Sequence, residues 1–368
     1  MMALRALVFA TGLALVGWTL LSAIRTVVLP RSAQSLIARV VFRSLGRVFR
    51  LIAGSRTSFA RRDRVMALFS PIALLVMAGA WVILVDLGYT LMYWSVQDAG
   101  WSEAFFLSGS SLLTLGFAPA DSFGERILAF SEATIGLGLV AILIAFLPAI
   151  YSSFQRRERK VGELEVRAGT PPSAAEFLLR HYRIGWFDDM AASWLAWEEW
   201  FLDIQEAHTS YPSLVFFRSP IPEQHWVTAA GTVLDAAGLM VAACDAGRQP
   251  EAQVAIRAGW LALRRIADFF GIEYDADPSQ GDPISVGRAE FDAVLDELAA
   301  EGIPLVDDRD QAWLDWAGWR VNYDTVLLQL AELTMAPYAP WTSDRSSPNH
   351  EQPRLRRWGK RVAARFTA

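Results

Sequence analysis

Apolar and polar segments alternate along the first 160 residues of the chain. One apolar run extends from Ala6 to Leu29, a second from about Pro71 to Ser95, and a third from Glu125 to about Ser153. Each can cross a hydrocarbon core, which needs about 20 residues of helix. A fourth run, Ala104–Leu113, is too short to do so. The pattern therefore predicts three membrane helices, with a short apolar helix between the second and the third.

The first run has a second interpretation, as a signal peptide. The apolar core of a signal peptide is usually about 7–15 residues long and precedes a small-residue cleavage motif. The run here is longer, and no persuasive motif of that kind follows it. We therefore expect residues 1–30 to form a retained membrane helix.

The short apolar segment leads into Thr114-Leu115-Gly116-Phe117 and then into a loop rich in Ala, Pro and Asp. Non-helical backbone at membrane depth persists only inside protein or beside a water-filled cavity. The segment therefore predicts a re-entrant loop that lines a pore. A dehydrating cation needs protein oxygens, which stacked backbone carbonyls supply. Gly116 suits the alternating backbone conformations this requires, and Thr114 can offer both a carbonyl and a hydroxyl.

These residues resemble the pore-loop family of bacterial potassium channels. The stretch Thr114–Phe117 is similar to the family's filter signature Thr-x-Gly-Tyr/Phe-Gly, and a Gly-Glu-Arg sequence at 124–126 opens the helix that follows. The resemblance covers roughly residues 70 to 155. It implies a homotetramer, with K⁺ as the permeant ion and Thr114, Leu115, Gly116 and Phe117 as the coordinating residues.

The chain departs from the family pattern after Phe117. Ala118 stands where the second filter glycine is expected, Pro119 follows, and the usual aspartate appears only at Asp121. Alanine at a position with positive φ costs on the order of 1 kcal/mol. We therefore expect the outermost ion sites to be altered, with Ala118, Asp121 and Ser110 supporting the filter.

Two acidic residues lie inside the apolar runs. Asp86 is in the second run and Glu132 in the third, and both are expected at one depth behind the filter. An intramembrane carboxylate is by default a functional-site hypothesis. We expect one or both to be neutral or hydrogen-bonded to Ser108, Ser110 or Ser111. The alternative is that Asp86 faces a protein interior with a backbone partner.

The third run contains Gly136, Gly138 and Pro148. Proline removes a helical hydrogen bond, and glycine permits bending, so these residues can form a gating hinge. Close packing of helices at small residues explains the glycines equally well.

Charge divides the chain into three parts. Residues 1–160 contain 16 Lys/Arg and 8 Asp/Glu, a balance of +8, whereas residues 161–342 carry −18 and residues 343–368 carry +5. The arginines between the first two runs, and Arg156 to Lys160 after the third, predict cytoplasmic segments by the positive-inside rule. This topology puts the amino terminus outside. The single cysteine, Cys244, excludes an intrachain disulfide and suits a reducing cytosol.

Four arginines between the first two runs, at positions 39, 43, 47 and 50, form one stripe at helical spacing. The favoured interpretation is an interfacial helix on an anionic inner leaflet. A voltage sensor would carry arginine at every third position, which this stripe does not. An ordinary cytosolic connector is the third possibility.

After Gly169 the pattern is that of a helical soluble domain. Ser173 and Glu176 form a capping-box pattern. Apolar periodicity predicts helices, separated by Pro and Gly clusters, at 173–182, 185–209, 222–246, 250–271, 286–301 and 310–335. Ser213–Phe217 is the only short strand candidate. The absence of a βαβ unit and of a Gly-rich phosphate loop argues against a nucleotide-sensing domain.

Carboxylates and a histidine lie close together in the second of these helices, and such sets can bind metals in helical bundles: Glu198, Glu199, Asp203, Glu206 and His208. The expected pair of Glu-x-x-His motifs is missing, so we expect a solvated or subunit-facing acidic surface, no metal site and no enzyme activity. A short basic tail beside an acidic domain is also a poor nucleic-acid footprint.

The predicted fold is all-α: a membrane pore-loop channel module, with three spans and a re-entrant helix, followed by a helical cytoplasmic domain. Its parts are 1–30, a membrane helix; 31–66, a basic interfacial segment; 67–160, the pore module; 161–342, the helical domain; and 343–368, a basic tail. The expected function is a tetrameric cation channel in the cell inner membrane, and we expect its helical cytoplasmic domain to regulate or assemble it. The alternatives are a non-conducting receptor or scaffold derived from a pore loop, and a membrane-tethered helical enzyme.

Overall fold

A computed structural model describes residues 2–27, 35–54, 58–97 and 100–345. Within these ranges the chain is helical, without a β-strand, and Cys244 and Leu305 form an isolated antiparallel bridge. The helices are α1 Met2–Val27, α2 Leu36–Ala53, α3 Phe59–Ala67, α4 Phe69–Val96, α5 Trp101–Leu112, α6 Phe123–Ala168, α7 Ala174–Arg183, α8 Ala191–Ser210, α9 Trp226–Ala242, α10 Pro250–Phe270, α11 Arg288–Ala300, α12 Arg309–Arg320 and α13 Asp324–Thr334, with short 3₁₀ helices at Pro212–Phe216 and Ser343–Arg345. Residues 346–368 of the predicted basic tail, with Arg31 and Arg56, lie outside the described ranges.

The chain divides into two compact units, Met1–Ile52 with Val65–Ser153, and Ala53–Arg64 with Phe154–Ala368. Among the described residues, three helical stretches are long and apolar enough to cross a membrane: α1, the α3–α4 stretch and α6. The expectation of an all-helical chain with three such helices is confirmed.

Helix α6 is longer than the sequence pattern indicated. It was expected to end near Ser153 but continues to Ala168, a total of 46 residues, with Pro148 inside it. The added part, residues 154–168, contains four Arg, three Glu and one Lys, which are good helix formers. Glu163 accepts hydrogen bonds from Lys160 and Arg167, one turn away on either side, and such pairs stabilise a helix.

Helices α1 and α4 pack through small residues in the first unit. A buried stripe on α1 includes Gly12, Val16 and Ala23. A Cβ at Gly12 would collide with the carbonyl oxygen of Gly88 on α4, and would lie 2.9 Å from Met92 Cγ. The two backbones therefore approach closely, as small residues allow between membrane helices.

Helix α2 is amphipathic, as predicted. Phe42 and Phe49 pack edge-on against Phe69, with ring centroids 5.9 and 5.6 Å apart. The four arginines of the stripe are exposed. The orientation of α2 on a lipid surface stays a prediction.

The second unit is built around α9, which is buried along nearly its whole length and packs against α7, α8, α10, α12 and α13. Its one carboxylate, Asp235, binds Arg320 at 2.5 Å and the Tyr323 hydroxyl at 2.8 Å. Arg320 also donates to Asp324 at 2.8 Å. Desolvation of Asp235, only partly offset by Arg320, raises its pKa to about 6.

Three local predictions in this unit need correction. The helix expected over 310–335 is broken between α12 and α13, where the Asn322 side chain caps the carbonyls of Gly318 and Trp319. The helix expected from 185 begins only at Ala191, because Gly185 has φ +75° and a turn follows. The strand candidate is the 3₁₀ helix Pro212–Phe216, which starts with proline at a position that needs no N–H donor. The capping interaction of Ser173 with the Glu176 N–H is confirmed at 3.1 Å.

His208 is buried at the end of α8, beside Arg157 of α6. Its Nδ1 lies 2.6 Å from the Ile204 carbonyl oxygen and its Nε2 lies 3.2 Å from Arg157 Nη1. Because the guanidinium can only donate, Nε2 is the acceptor and the ring is neutral. Burial, reinforced by the charge of Arg157, lowers the pKa of His208 to about 3.

We expect Gly12→Ala to destabilise the first unit and Gly17→Ala on the same helix to leave it unchanged. The first substitution forces a methyl group against the Gly88 backbone, whereas nothing lies within 4 Å of the corresponding Cβ at Gly17. Overpacking of this kind costs about 1–3 kcal/mol. Thermal unfolding of the two variants in the same detergent measures the difference, and equal midpoints would contradict this packing.

We expect acid to destabilise the second unit partly through His208. Because its folded-state pKa lies below the unfolded value near 6.5, its contribution is complete above pH 6.5 and is lost as the pH falls toward about 3. The loss is about 2 kcal/mol at pH 5. Unfolding free energies at pH 7 and pH 5 should differ less in His208→Gln, which accepts a hydrogen bond without titrating. An unchanged pH dependence in that variant would contradict the assignment.

Candidate functional site

The predicted filter begins where α5 ends. The Thr114 N–H donates to the Ser111 carbonyl at 3.1 Å, and the Leu115 N–H donates to the Ser110 carbonyl at 2.8 Å. This pair of bonds forms a Schellman C-cap, with Thr114 at the left-handed position, φ 54°. A β-branched residue is strained there, and such strain persists only where the surroundings enforce it.

Ser110 holds the loop that follows this cap. Its carbonyl accepts hydrogen bonds from Leu115 and Gly116, the latter at 3.3 Å, and its hydroxyl accepts from Phe117 at 3.0 Å and Ala118 at 3.1 Å. One buried residue therefore binds four consecutive backbone N–H groups. Sequence reasoning had assigned Ser110 a supporting role, but not this arrangement.

The carbonyls of Thr114–Phe117 accept no hydrogen bond from the residues that the structure describes. All four of these residues are exposed, and Leu115 and Phe117 are each 61% exposed. Gly116 has φ +72° and open space around it. The loop thus leaves several backbone oxygens available within a short stretch, while its donors are satisfied.

The prediction that Ala118 has a strained, positive-φ backbone is wrong. Ala118 is not among the described residues with positive φ, whereas Thr114 is. The left-handed residues of this segment are Thr114, at the end of α5, and Gly116. Ala118 instead donates its N–H to Ser110.

Glu125 and Arg126, in the first turn of α6, bind the end of the loop that precedes this helix. The Glu125 carboxylate accepts from the N–H groups of Asp121 and Ser122 at 2.8 and 3.4 Å, and the Ser122 hydroxyl accepts from the Glu125 N–H. Arg126 Nε donates to the Ala120 carbonyl at 3.1 Å. Sequence reasoning gave no role to these two side chains, although Ser122-Phe-Gly-Glu125 matches the capping-box pattern. Asp121 takes part here through its backbone.

Ser108 of α5 connects to both neighbouring helices. Its hydroxyl lies 2.6 Å from Glu132 Oε1 on α6 and 3.0 Å from the Asp86 carbonyl oxygen on α4. The expected contact of an acidic side chain with Ser108 is present for Glu132, and Asp86 contributes its backbone oxygen as well. The single hydroxyl hydrogen of Ser108 donates to one of these two oxygens or is shared between them. Glu132 is fully buried, and no cation pairs with it among the described residues.

The two glycines of the predicted hinge differ in their surroundings. A Cβ at Gly136 would collide with the Leu112 carbonyl oxygen at the end of α5 and lie 3.1 Å from Leu112 Cδ1, whereas Gly138 has open space. Helix α6 is continuous through both glycines and Pro148. Close packing therefore accounts for Gly136, and bending at Gly138 and Pro148 stays a prediction.

The acidic set on α8 does not converge on one point. Glu199, Asp203 and Glu206 are exposed, whereas His208 is buried against Arg157. Across the ranges that the structure describes, no group of three His, Cys, Asp or Glu side chains is arranged to hold a metal ion.

Comparisons with protein-family models, with curated proteins and with solved structures each found no match to this chain.

We expect Gly136→Ala to weaken the packing of α5 and Gly138→Ala to be tolerated. The first methyl group meets a backbone carbonyl and the second meets nothing. Thermal unfolding in detergent should separate the two variants by several degrees, since about 1–3 kcal/mol is typical of overpacking. If both glycines acted only as flexible hinges, the two variants would behave alike.

Proposed function

We propose that the chain is one subunit of a homotetrameric cation channel, with K⁺ as the expected permeant ion. The observation that carries the proposal is the loop after α5, in which Ser110 binds four N–H groups and the carbonyls of Thr114–Phe117 remain exposed and unpaired among the described residues. A cation leaving water needs such oxygens. One loop cannot surround an ion, so closed symmetric assembly follows.

Two further features support the proposal. The loop lies at the carboxyl end of α5, where the helix dipole is negative and favours a cation. It also lies between two helices that are long and apolar enough to cross a membrane. The irregular backbone of 113–122 is then protected by the assembly, as membrane depth requires.

The membrane placement rests on charge. We propose the cell inner membrane, with the second unit in the cytoplasm, because arginines are dense between α1 and α4 and after the apolar part of α6. The exposed arginines of α2 then face the anionic inner leaflet.

A second candidate is a non-conducting receptor or scaffold that keeps the pore-loop shape. Ala118 and Pro119 favour it, because they replace the residues that complete the outer filter in the family this chain resembles. The two candidates make opposite predictions for ion flux.

We expect purified protein in liposomes to conduct K⁺ down a gradient. Flux should fall at least tenfold in Gly116→Ala, because φ +72° disfavours alanine by about 1 kcal/mol in each of four subunits. Ser110→Ala should also lower flux, because the N–H groups of Phe117 and Ala118 lose their shared hydroxyl acceptor, while the Ser110 carbonyl still binds those of Leu115 and Gly116.

Two substitutions serve as controls. Thr11→Ala removes a bond within α1, from the Thr11 hydroxyl to the Leu7 carbonyl, and Gly17→Ala adds a methyl group in open space. Both should keep flux near that of the wild type. A folded tetramer without K⁺ or Na⁺ flux would favour the non-conducting candidate, and unchanged flux in both filter variants would place the pathway elsewhere.

A further inference from the structure

Arg157, on the polar part of α6, is buried with its guanidinium turned into the second unit, where its side chain is 2% exposed. Nη1 donates to the Leu214 carbonyl at 2.7 Å, and Nη2 donates to the Phe217 carbonyl at 2.8 Å. A buried guanidinium is costly unless its donors are satisfied. Two of its acceptors, the carbonyls of Leu214 and Phe217, lie in one short segment, Pro212–Arg218, which we call the strap, and the others are Glu158 Oε1 and His208 Nε2.

Arg218, the last residue of the strap, binds a different part of the chain. Its Nη1 lies 3.4 Å from Asp63 Oδ1 on α3 and donates to the Met335 carbonyl at 2.8 Å. The two charged side chains are 5% and 9% exposed. Removing one partner of such a pair leaves the other charge buried and uncompensated.

The strap also contacts α6 through apolar atoms. The rings of Phe154 and Phe217 lie 5.6 Å apart, and Leu214 and Val215 are buried in the second unit. The strap therefore contacts both α6 and α3.

The two segments that the strap contacts are continuous in sequence with apolar helices. Asp63 precedes α4 by six residues, and Arg157 follows the apolar part of α6. We infer that the strap couples α3 to the polar end of α6 through two buried arginines, so that a displacement of either segment is transmitted to the other. The two segments lead to the second and third apolar helices. Any effect of this coupling on ion flow rests on the proposed channel function.

Hydrogen exchange on the full-length protein in detergent tests the coupling directly. Arg157→Gln should accelerate exchange of the amides of residues 58–64, with which Arg157 has no described contact, by roughly tenfold. In the reverse direction, Asp63→Asn should accelerate exchange in the strap and in residues 154–163. A matched control is Arg183→Gln, which removes ion pairs to Glu176 and Glu301 elsewhere in the second unit. It should leave all three segments unchanged.

The inference is overturned if each variant accelerates exchange only beside its own substitution, because the contacts would then be independent. If Arg157→Gln also exposes the amides of α9, and so unfolds the unit, Asp63→Asn alone decides the result. Potassium flux is a separate readout: with a conducting wild type, Asp63→Asn should change flux at least twofold without touching the filter. A wild type without flux counts against the proposed function, while the exchange data still decide the coupling.

Discussion

The hydrogen bonds that converge on Ser110 are the interaction on which the functional interpretation depends. The last carbonyls of a helix need partners, and the backbone just beyond needs acceptors for its own donors. At the end of α5 both needs are met by one turn, because the Ser110 carbonyl and hydroxyl together accept four N–H groups. The N–H groups of residues 114–118 are thus satisfied, and the carbonyls of Thr114–Phe117 accept no hydrogen bond from the described residues. Thr114 takes the strained left-handed position that closes this turn.

Helix α6 connects the features that surround this loop. Its first turn is capped by Ser122 and Glu125, which also bind the returning chain. Further along, Glu132 meets Ser108, and Gly136 allows the Leu112 carbonyl to approach the helix backbone. The helix then continues without a break into a polar segment that carries Arg157 and packs Leu164 and Ala168 into the core of the second unit. Pro148 removes one backbone hydrogen bond from this helix, which is otherwise continuous from Phe123 to Ala168.

Local patterns in the sequence predicted much of this architecture. Long apolar runs predicted α1, α4 and α6 because a helix must present about 20 apolar residues to span a bilayer. The capping of α7 by Ser173 followed from two side chains three residues apart. The patterns failed where a distant residue decides the outcome. No residue near 153 ends α6. The helix predicted over 310–335 breaks after Arg320, which forms ion pairs with Asp235 and Asp324 and is followed by the Asn322 cap.

The sequence by itself determined the helical class, the three apolar spans, the amphipathic α2 and the position of the loop from Thr114 to Phe117. These properties depend on periodicity and on residue types close together in the chain. Only the tertiary structure decided which oxygen and nitrogen atoms form hydrogen bonds with each other. The role of Ser110, the strain at Thr114 in place of Ala118, and the burial of His208 against Arg157 all depend on backbone direction or on residues far apart in sequence. Whether a hydrogen bond forms depends on differences of a few tenths of an ångström in the donor–acceptor distance, which spacing along a chain does not specify.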